Sequence, residues 1–394
     1  MRAAPATINP DELLKQLEGT TKSNSPWIKY PCQLVTPLYG GGVKAGEIDV
    51  EMPIRASEIR GQLRFWWRVA CGPFSSSQEM FRRESDIWGG IGSESAVASN
   101  VEVRVVQEGN GKLMNSADEK HPAIKYAFGP AAQNGATWLA AGYKFTLQLR
   151  YPEEVAEEVD LALRWWANFG GLGARTRRGF GAVEVEGLTT VAFKELTDAG
   201  CILARAPLAE TTALAAWKTS NQKLHHFRQG RGFARAQGSE RPGRSYWPEP
   251  DQLRRDTGKN DNGRHMPEHA SGNVFPRASF GLPIIFDFRK PTEPMKTELL
   301  PAGDKDRMAS PLILRPCLNE GQWFATALLL PTWKSALRQP LRYKNGSGAP
   351  VVWPQTESES QQKGVHIKPM KENCTNGKTD PLSAFMNYFK KGQQ

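Results

Sequence analysis

No run in this chain approaches the roughly 20 apolar residues that a membrane-spanning helix needs. The first residues carry no apolar signal-peptide core; instead Asn9 can cap a short acidic helix begun by Pro10 and carried from Asp11 to Glu18. A cytoplasmic chain with no membrane partner is therefore expected. Cysteine is scarce: Cys32, Cys71, Cys201, Cys317 and Cys374 stand singly and are odd in number, which fits reduced thiols rather than a disulfide framework. No paired spacing suggests zinc. Signatures of catalysis are missing as well. No Lys-Ser or Lys-Thr follows a glycine run at phosphate-loop spacing, and neither a serine nucleophile elbow nor a zinc-protease motif is present. Acidic residues are dispersed and in deficit, 41 against 51 Lys plus Arg, which gives a pI of about 9.3. That balance favours a nucleic-acid or anionic-surface partner without choosing between them.

What is present is enough for a folded protein of two or three domains: 394 residues, 39% hydrophobic, with 37 glycines. The most distinctive stretch runs from Asn168 to Gly181. Five of the twelve residues from Gly170 to Gly181 are glycine and three are arginine, Arg175, Arg177 and Arg178. It lies between a helical pattern ending near Asn168 and a period-two strand pattern, Ala182 to Glu186. Gly170 or Gly171 can end the helix in the left-handed conformation, and Gly173, Gly179 and Gly181 can turn backbone N–H groups toward an anion. Arginine supplies the planar fork that phosphate oxygens accept. A loop whose glycines only make turns has the same composition. Arg178 to Val185 fits six of eight positions of the RNA-recognition-module signature, but Ala182 and Val185 stand where aromatics would stack bases, so base stacking is not inferred.

A second cationic element is the helical pattern from Arg55 to Ala70, with Ser57 as the expected cap. Ile59, Leu63, Trp66 and Ala70 form a core stripe, while Arg60, Arg64 and Arg68 recur four apart on another. An anion lying across that stripe, or a solvated basic face, accounts for it. Helical patterns also cover Gln78 to Trp88 and the residues after Pro152, and strands are expected at 27–38, 101–107 and 143–151. The order strand, helix, strand, strand, helix, strand over residues 27–187 is the ferredoxin-like arrangement. Both main helices carry a Trp-Trp pair, Trp66-Trp67 and Trp165-Trp166; neighbours on a helix diverge by about 100°, so one of each pair is expected in the core and the other at the rim.

Beyond Gly187 the signal weakens. From Asn221 to Phe275 there is one valine and no isoleucine, with ten Lys or Arg, six Asp or Glu and seven glycines. This reads as a basic arm without a core, suited to backbone contact, in which His225 and His226 are the candidates for acid–base work. Pro267 between His265 and His269 argues against a metal-binding helix face. Apolar strand patterns return at 282–288, 310–315 and 323–330, the tail from 355 to 379 looks polar and mobile, and Pro381 to Phe389 is expected as a last helix.

The loop Gly170–Gly181, the early Thr36-Pro-Leu-Tyr-Gly-Gly-Gly42 and the stretch Ile54 to Arg68 together resemble the RAMP proteins of CRISPR systems. Within them they are most similar to the first-subunit family of the Cmr module, the type III-B RNA-guided effector. Arg277 to Pro283 and Arg307 to Pro316 add to the resemblance, which spans about residues 28–335. It implies an α+β fold of two tandem ferredoxin-like domains, with boundaries at 1–26 (extension), 27–190, 191–275 (linker and basic insertion) and 276–394. It further implies a non-catalytic subunit near the guide's 3′ end, with guide RNA, target RNA and other Cmr subunits as partners and no cofactor. The expected RNA contacts are Arg55, Arg60, Arg64, Arg68, Gly170, Gly171, Gly173, Arg175, Arg177, Arg178 and Gly179. The alternative within the superfamily is a metal-independent endoribonuclease that processes guide RNA.

Overall fold

In Lys144–Arg150, β3 below, Phe145, Leu147 and Leu149 are fully buried while the residues between them are not, the alternation of a sheet with one buried face. That strand is central to an antiparallel sheet built with Ile28–Leu34 (β1), Glu102–Glu108 (β2) and Val183–Val185 (β4), in the order β2-β3-β1-β4. Cys32 of β1 sits opposite Phe145 on one side and Val185 on the other. The connecting helices Ala56–Ala70 (α1) and Ala156–Phe169 (α3) pack on each other, and Ser77–Trp88 (α2) follows α1. The strand order and the two crossover helices are those of the split βαβ motif. The computed structural model describes residues 25–42, 44, 46–91, 96–129, 135–238, 244–344, 350–375 and 377–392. The acidic helix expected at 11–18 and most of the expected 1–26 extension lie outside these.

The Trp-Trp expectation fails. Trp66, Trp67, Trp165 and Trp166 are all at most 1% exposed. Trp66 meets Trp165 and Phe169 across the α1–α3 seam at ring distances of 6.3 and 6.0 Å. Trp67, which single-helix geometry sends to the rim, is covered by Phe74 at 5.2 Å and donates to Glu158 at 3.3 Å. Burial on a helix is set by every element packed around it.

A second unit begins earlier than expected. Ile202–Glu210 (β5) pairs with Gln322–Leu329 (β7), which pairs with Leu312–Asn319 (β6), all antiparallel. Ala213–Gln229 (α4) lies against β6 and β7, and Pro381–Lys390 (α5), expected from its sequence, lies against β5. Asp380 caps α5 by accepting from Leu382 and Ser383 N–H at 3.0 and 2.8 Å. This sheet has three strands among the described residues, and a second three-stranded sheet of Ile284–Phe286, Thr297–Pro301 and Leu341–Tyr343 adds Leu299, Leu341 and Tyr343 to the same core. The basic stretch therefore falls inside this unit, starting in the second half of α4 and ending ahead of β6, and the chain is not divided at the expected 275/276 boundary. β6 and β7 are apolar on both faces because Ile313 and Leu328 join the core of the first unit while Leu312, Leu314, Ala325, Ala327 and Leu329 join that of the second.

Nor is the stretch from 221 to 275 an arm without a core. Leu224, Phe227, Trp247, Leu253, Val274 and Phe275 are buried in the second core. Phenylalanine and tryptophan bury roughly 150–250 Å² each, so a segment can anchor itself without isoleucine. Its buried carboxylates are paired: Asp251 with Arg244 and Arg254 at 3.0 and 2.9 Å, and Glu249 with Arg277 at 3.2 Å, while Arg254 also reaches Glu293 at 2.8 Å. His265 pairs with Glu293, and His269 lies 3.0 Å from the Tyr246 carbonyl. The tail likewise folds, through helices Glu357–Gly364 and Lys368–Lys371, with Ile367 and Met370 fully buried.

Trp67→Ala should lower stability by about 3–5 kcal/mol, as much as Trp66→Ala, since both empty a fully buried aromatic site. Urea unfolding followed by circular dichroism measures it, and a Trp67 variant of wild-type stability would contradict the packing.

Candidate nucleic-acid interface

The arginine stripe of α1 folds against the protein. Helix α2 carries Glu84, 1% exposed, between Arg64 and Arg68: Arg64 Nε donates to it at 2.6 Å, and Arg68 reaches both of its oxygens at 2.7 and 2.5 Å. Burial raises the Glu84 carboxyl, but Arg68 and Arg64 outweigh burial and hold it below the ordinary 4.5. Arg60 donates to the Trp88 carbonyl at the end of α2, where partial negative charge gathers. The expected cap at Ser57 is displaced to Arg55, whose side chain makes no capping bond and whose Nε has no partner.

The glycine-rich loop is also turned inward. Gly173 N–H donates to Glu58, Gly179 N–H to the Thr176 carbonyl at 2.9 Å and Gly181 N–H to the Pro37 carbonyl at 2.7 Å. Gly173 meets a carboxylate of the chain itself and the other two meet carbonyls, so none of the three is turned toward a ligand anion as expected. Their left-handed φ angles, 75°, 77° and 63°, serve close packing. A Cβ on Gly181 would stand 2.0 Å from the Leu172 carbonyl oxygen, one on Gly173 2.4 Å from that of Tyr39, and one on Gly179 2.7 Å from that of Leu314. Gly170 is extended rather than left-handed, φ −83° and ψ −174°, and is glycine because a Cβ would strike Trp166 at 2.2 Å. Gly171 is buried against the Phe180 carbonyl.

Of the loop arginines, Arg177 donates to the Ser310 carbonyl and lies over Phe65 at 5.7 Å, and Arg178 donates to the Phe280 carbonyl at 3.2 Å. Both bridge the two units. Burial pulls the Arg178 guanidinium down to about 10. Arg175 is exposed, with one bond of 3.3 Å to the Ala127 carbonyl. Partial desolvation of the guanidinium by the surrounding loop lowers its pKa, against an upward push from Tyr39 and with a smaller downward one from Arg307. Arg307 is itself exposed, and Arg228 of α4 donates to Tyr126 Oη at 2.7 Å. Arg60, Arg175, Arg177, Arg178, Arg228 and Arg307 make no ion pair with any described carboxylate. The loop thus gathers Arg175, Arg177 and Arg178 with Arg228 and Arg307, but not with Arg64 and Arg68. Arg228 and Arg307 went unrecognised in the sequence. Arg307 opens one of the stretches that carry the RAMP resemblance, whereas nothing local marks Arg228.

Residues 32–184 match the profile of the RAMP superfamily. The matched stretch coincides with the βαββαβ unit and its glycine-rich loop. No curated protein sequence matches the chain. Among solved structures, the chain is similar to the apo form of Cmr1 from Pyrococcus furiosus, at 17% identity and TM-score 0.47, over 82% of this chain and 99% of that one. It is also similar to a chain of the type III-B Cmr-beta complex bound to cognate target RNA, at 11% identity and TM-score 0.40, over 81% and 95%. No helix of the described residues is long and apolar enough to cross a membrane.

Two measurements separate structural from available charge. Gly181→Ala should unfold the protein at lower temperature, whereas Arg175→Ala should change stability by less than about 0.5 kcal/mol; equal melting curves for the two would contradict the packing of the loop. Glu84 has a depressed pKa when folded, so its contribution is present above its unfolded value and is lost as pH falls through the folded one. Glu84→Gln should therefore destabilise at pH 7 and flatten the loss of stability below pH 4.5, as read from melting temperature against pH.

Proposed function

We propose that the protein is a non-catalytic RNA-binding subunit of a type III-B CRISPR (Cmr) effector in antiviral defence, holding the backbone of guide or target RNA beside other Cmr subunits. The observation that carries this is the group of arginines at the seam of the two units that lack a carboxylate partner, Arg175 and Arg307 foremost. Other arginines of the chain are matched to acids, as Arg150 is to Glu102 at 2.6 Å and Arg254 to Glu293 at 2.8 Å. Like charges gathered without a counterion repel one another, and a polyanion relieves that repulsion. The RAMP-superfamily match over residues 32–184 and the sequence resemblance to the Cmr module supply the assembly in which such a surface works. Guanidiniums remain protonated at neutral pH and move no proton, so this tract binds rather than cleaves. Contacts to phosphate carry no base information, and occupancy would come from tethering beside RNA held by neighbouring subunits.

Single-stranded guide and target RNA should bind with an affinity that falls as salt rises, and the RNA should remain intact. Arg175→Ala/Arg307→Ala should flatten the slope of log affinity against log salt by roughly 0.7 per lost contact, equally for unrelated sequences. An unchanged slope would remove the seam arginines from RNA binding. Specific, metal-independent scission lost in His225→Ala or His226→Ala would establish the endoribonuclease instead.

A further inference from the structure

A cavity of about 1070 Å³ opens between the end of α4, the turn after it and the C-terminal end of α5. It is large enough for a nucleotide. The turn holds Arg231 and Arg235 together: Gly232, φ 77°, donates to the Arg235 carbonyl at 2.7 Å, and Arg235 N–H returns to the Gly230 carbonyl at 2.9 Å. Neither guanidinium makes a hydrogen bond or ion pair with a described residue. The other two cations of the wall are already occupied, Lys223 on the Lys391 carbonyl at 2.7 Å and Lys391 on the Glu372 carbonyl at 2.8 Å. Burial, and then Arg235 and His226, lower the pKa of His225, so at neutral pH the positive charge is that of the lysines and arginines.

His226, Phe233 and Tyr388 form an aromatic wall of the same cavity. His226 stacks on Phe233 at 5.0 Å and 25° and on Tyr388 at 6.0 Å and 18°. Asn373, 1% exposed, also lines the cavity; its Nδ2 donates to the Pro369 carbonyl at 2.9 Å and its buried Oδ1 has no partner among the described residues. A buried acceptor left unmatched costs stability, and a ligand donor relieves that cost.

We propose that this cavity is a nucleoside-phosphate site, in which Arg231 and Arg235 hold the phosphate, the Phe233 side of the aromatic wall receives the base, and Asn373 Oδ1 accepts from an amino or hydroxyl group. The site is separate from the seam arginines and does not rest on reading them as RNA contacts. A free nucleotide and one nucleotide of an RNA strand share this chemistry.

Calorimetric titration of the full chain with adenosine 5′-monophosphate, adenosine, inorganic phosphate and a single-stranded hexaribonucleotide tests it. The monophosphate should bind at least tenfold more tightly than adenosine or phosphate alone. Arg231→Ala/Arg235→Ala and Phe233→Leu should each weaken it by about tenfold or more, while Arg175→Ala/Arg307→Ala leaves it unchanged. Competition between hexamer and monophosphate identifies a strand as the source, and its absence identifies a free nucleotide. If the double variant does not fold, Arg231→Ala at its exposed position gives the reading. Phosphate binding as tightly as the monophosphate, or no binding sensitive to Arg231, would overturn the proposal.

Discussion

A buried guanidinium ties the two units together beside the glycine-rich loop. Arg315, 4% exposed, extends from β6 and donates to the Trp166 carbonyl in the last turn of α3 at 3.0 Å and to the Val183 carbonyl of β4 at 2.5 Å. Burial lowers its pKa to about 10, and it stays charged at neutral pH. Carbonyls at a helix C-terminus carry partial negative charge, which lets a cation without a carboxylate rest there. The two carbonyls it clamps are the two ends of the glycine-rich loop. The loop's path follows from that clamp. Leu172 and Gly181 bond across it at 2.9 Å, Thr36 Oγ1 holds the Gly179 carbonyl at 2.6 Å, and Trp217 and Asn221 of α4 take the Arg178 carbonyl at 2.7 and 3.0 Å. Chain passing this close on all sides leaves no room for Cβ atoms.

The same clamp sorts the arginines. Those drawn into the seam, Arg177 and Arg178, spend their donors on carbonyls of the second unit, and those of α1 are taken by Glu84 and Trp88. Arg175 and Arg307 are left at the surface with charge to spare. A cationic sequence thus divides into cations that build the fold and cations that remain for a partner, and only the second kind responds to salt.

Tyr126 connects the seam to the cavity. Its hydroxyl takes Arg228, which neighbours Arg178, and its ring lies 4.8 Å from His225 on the cavity wall. A strand laid along the seam arginines would therefore pass Arg228 on the way to Arg231 and Arg235. The seam offers charge alone, whereas the cavity adds an aromatic surface and an unmatched acceptor, so discrimination among bound nucleotides would belong to the cavity.

Period-two and period-3.6 patterns, together with the punctuation of the glycines, determined the βαββαβ order of the first unit and the last helix, because each element there buries a continuous stripe of its own. The sequence also marked the 170–181 loop as exceptional. Composition alone could not say that its glycines are there for neighbouring backbone rather than for a ligand, since both demands select the same residue. Tertiary structure decided the remainder. Trp67 is buried because Phe74 and Glu158 close over it, Arg64 and Arg68 are neutralised by a glutamate from another helix, and the 221–275 segment finds a core in β6 and β7, strands far along the chain. Local periodicity is blind to a partner that arrives from a hundred residues away. Arg315 is the plainest case: one arginine in an apolar strand, unremarkable in the sequence, whose place between two carbonyls only the meeting of the two units creates.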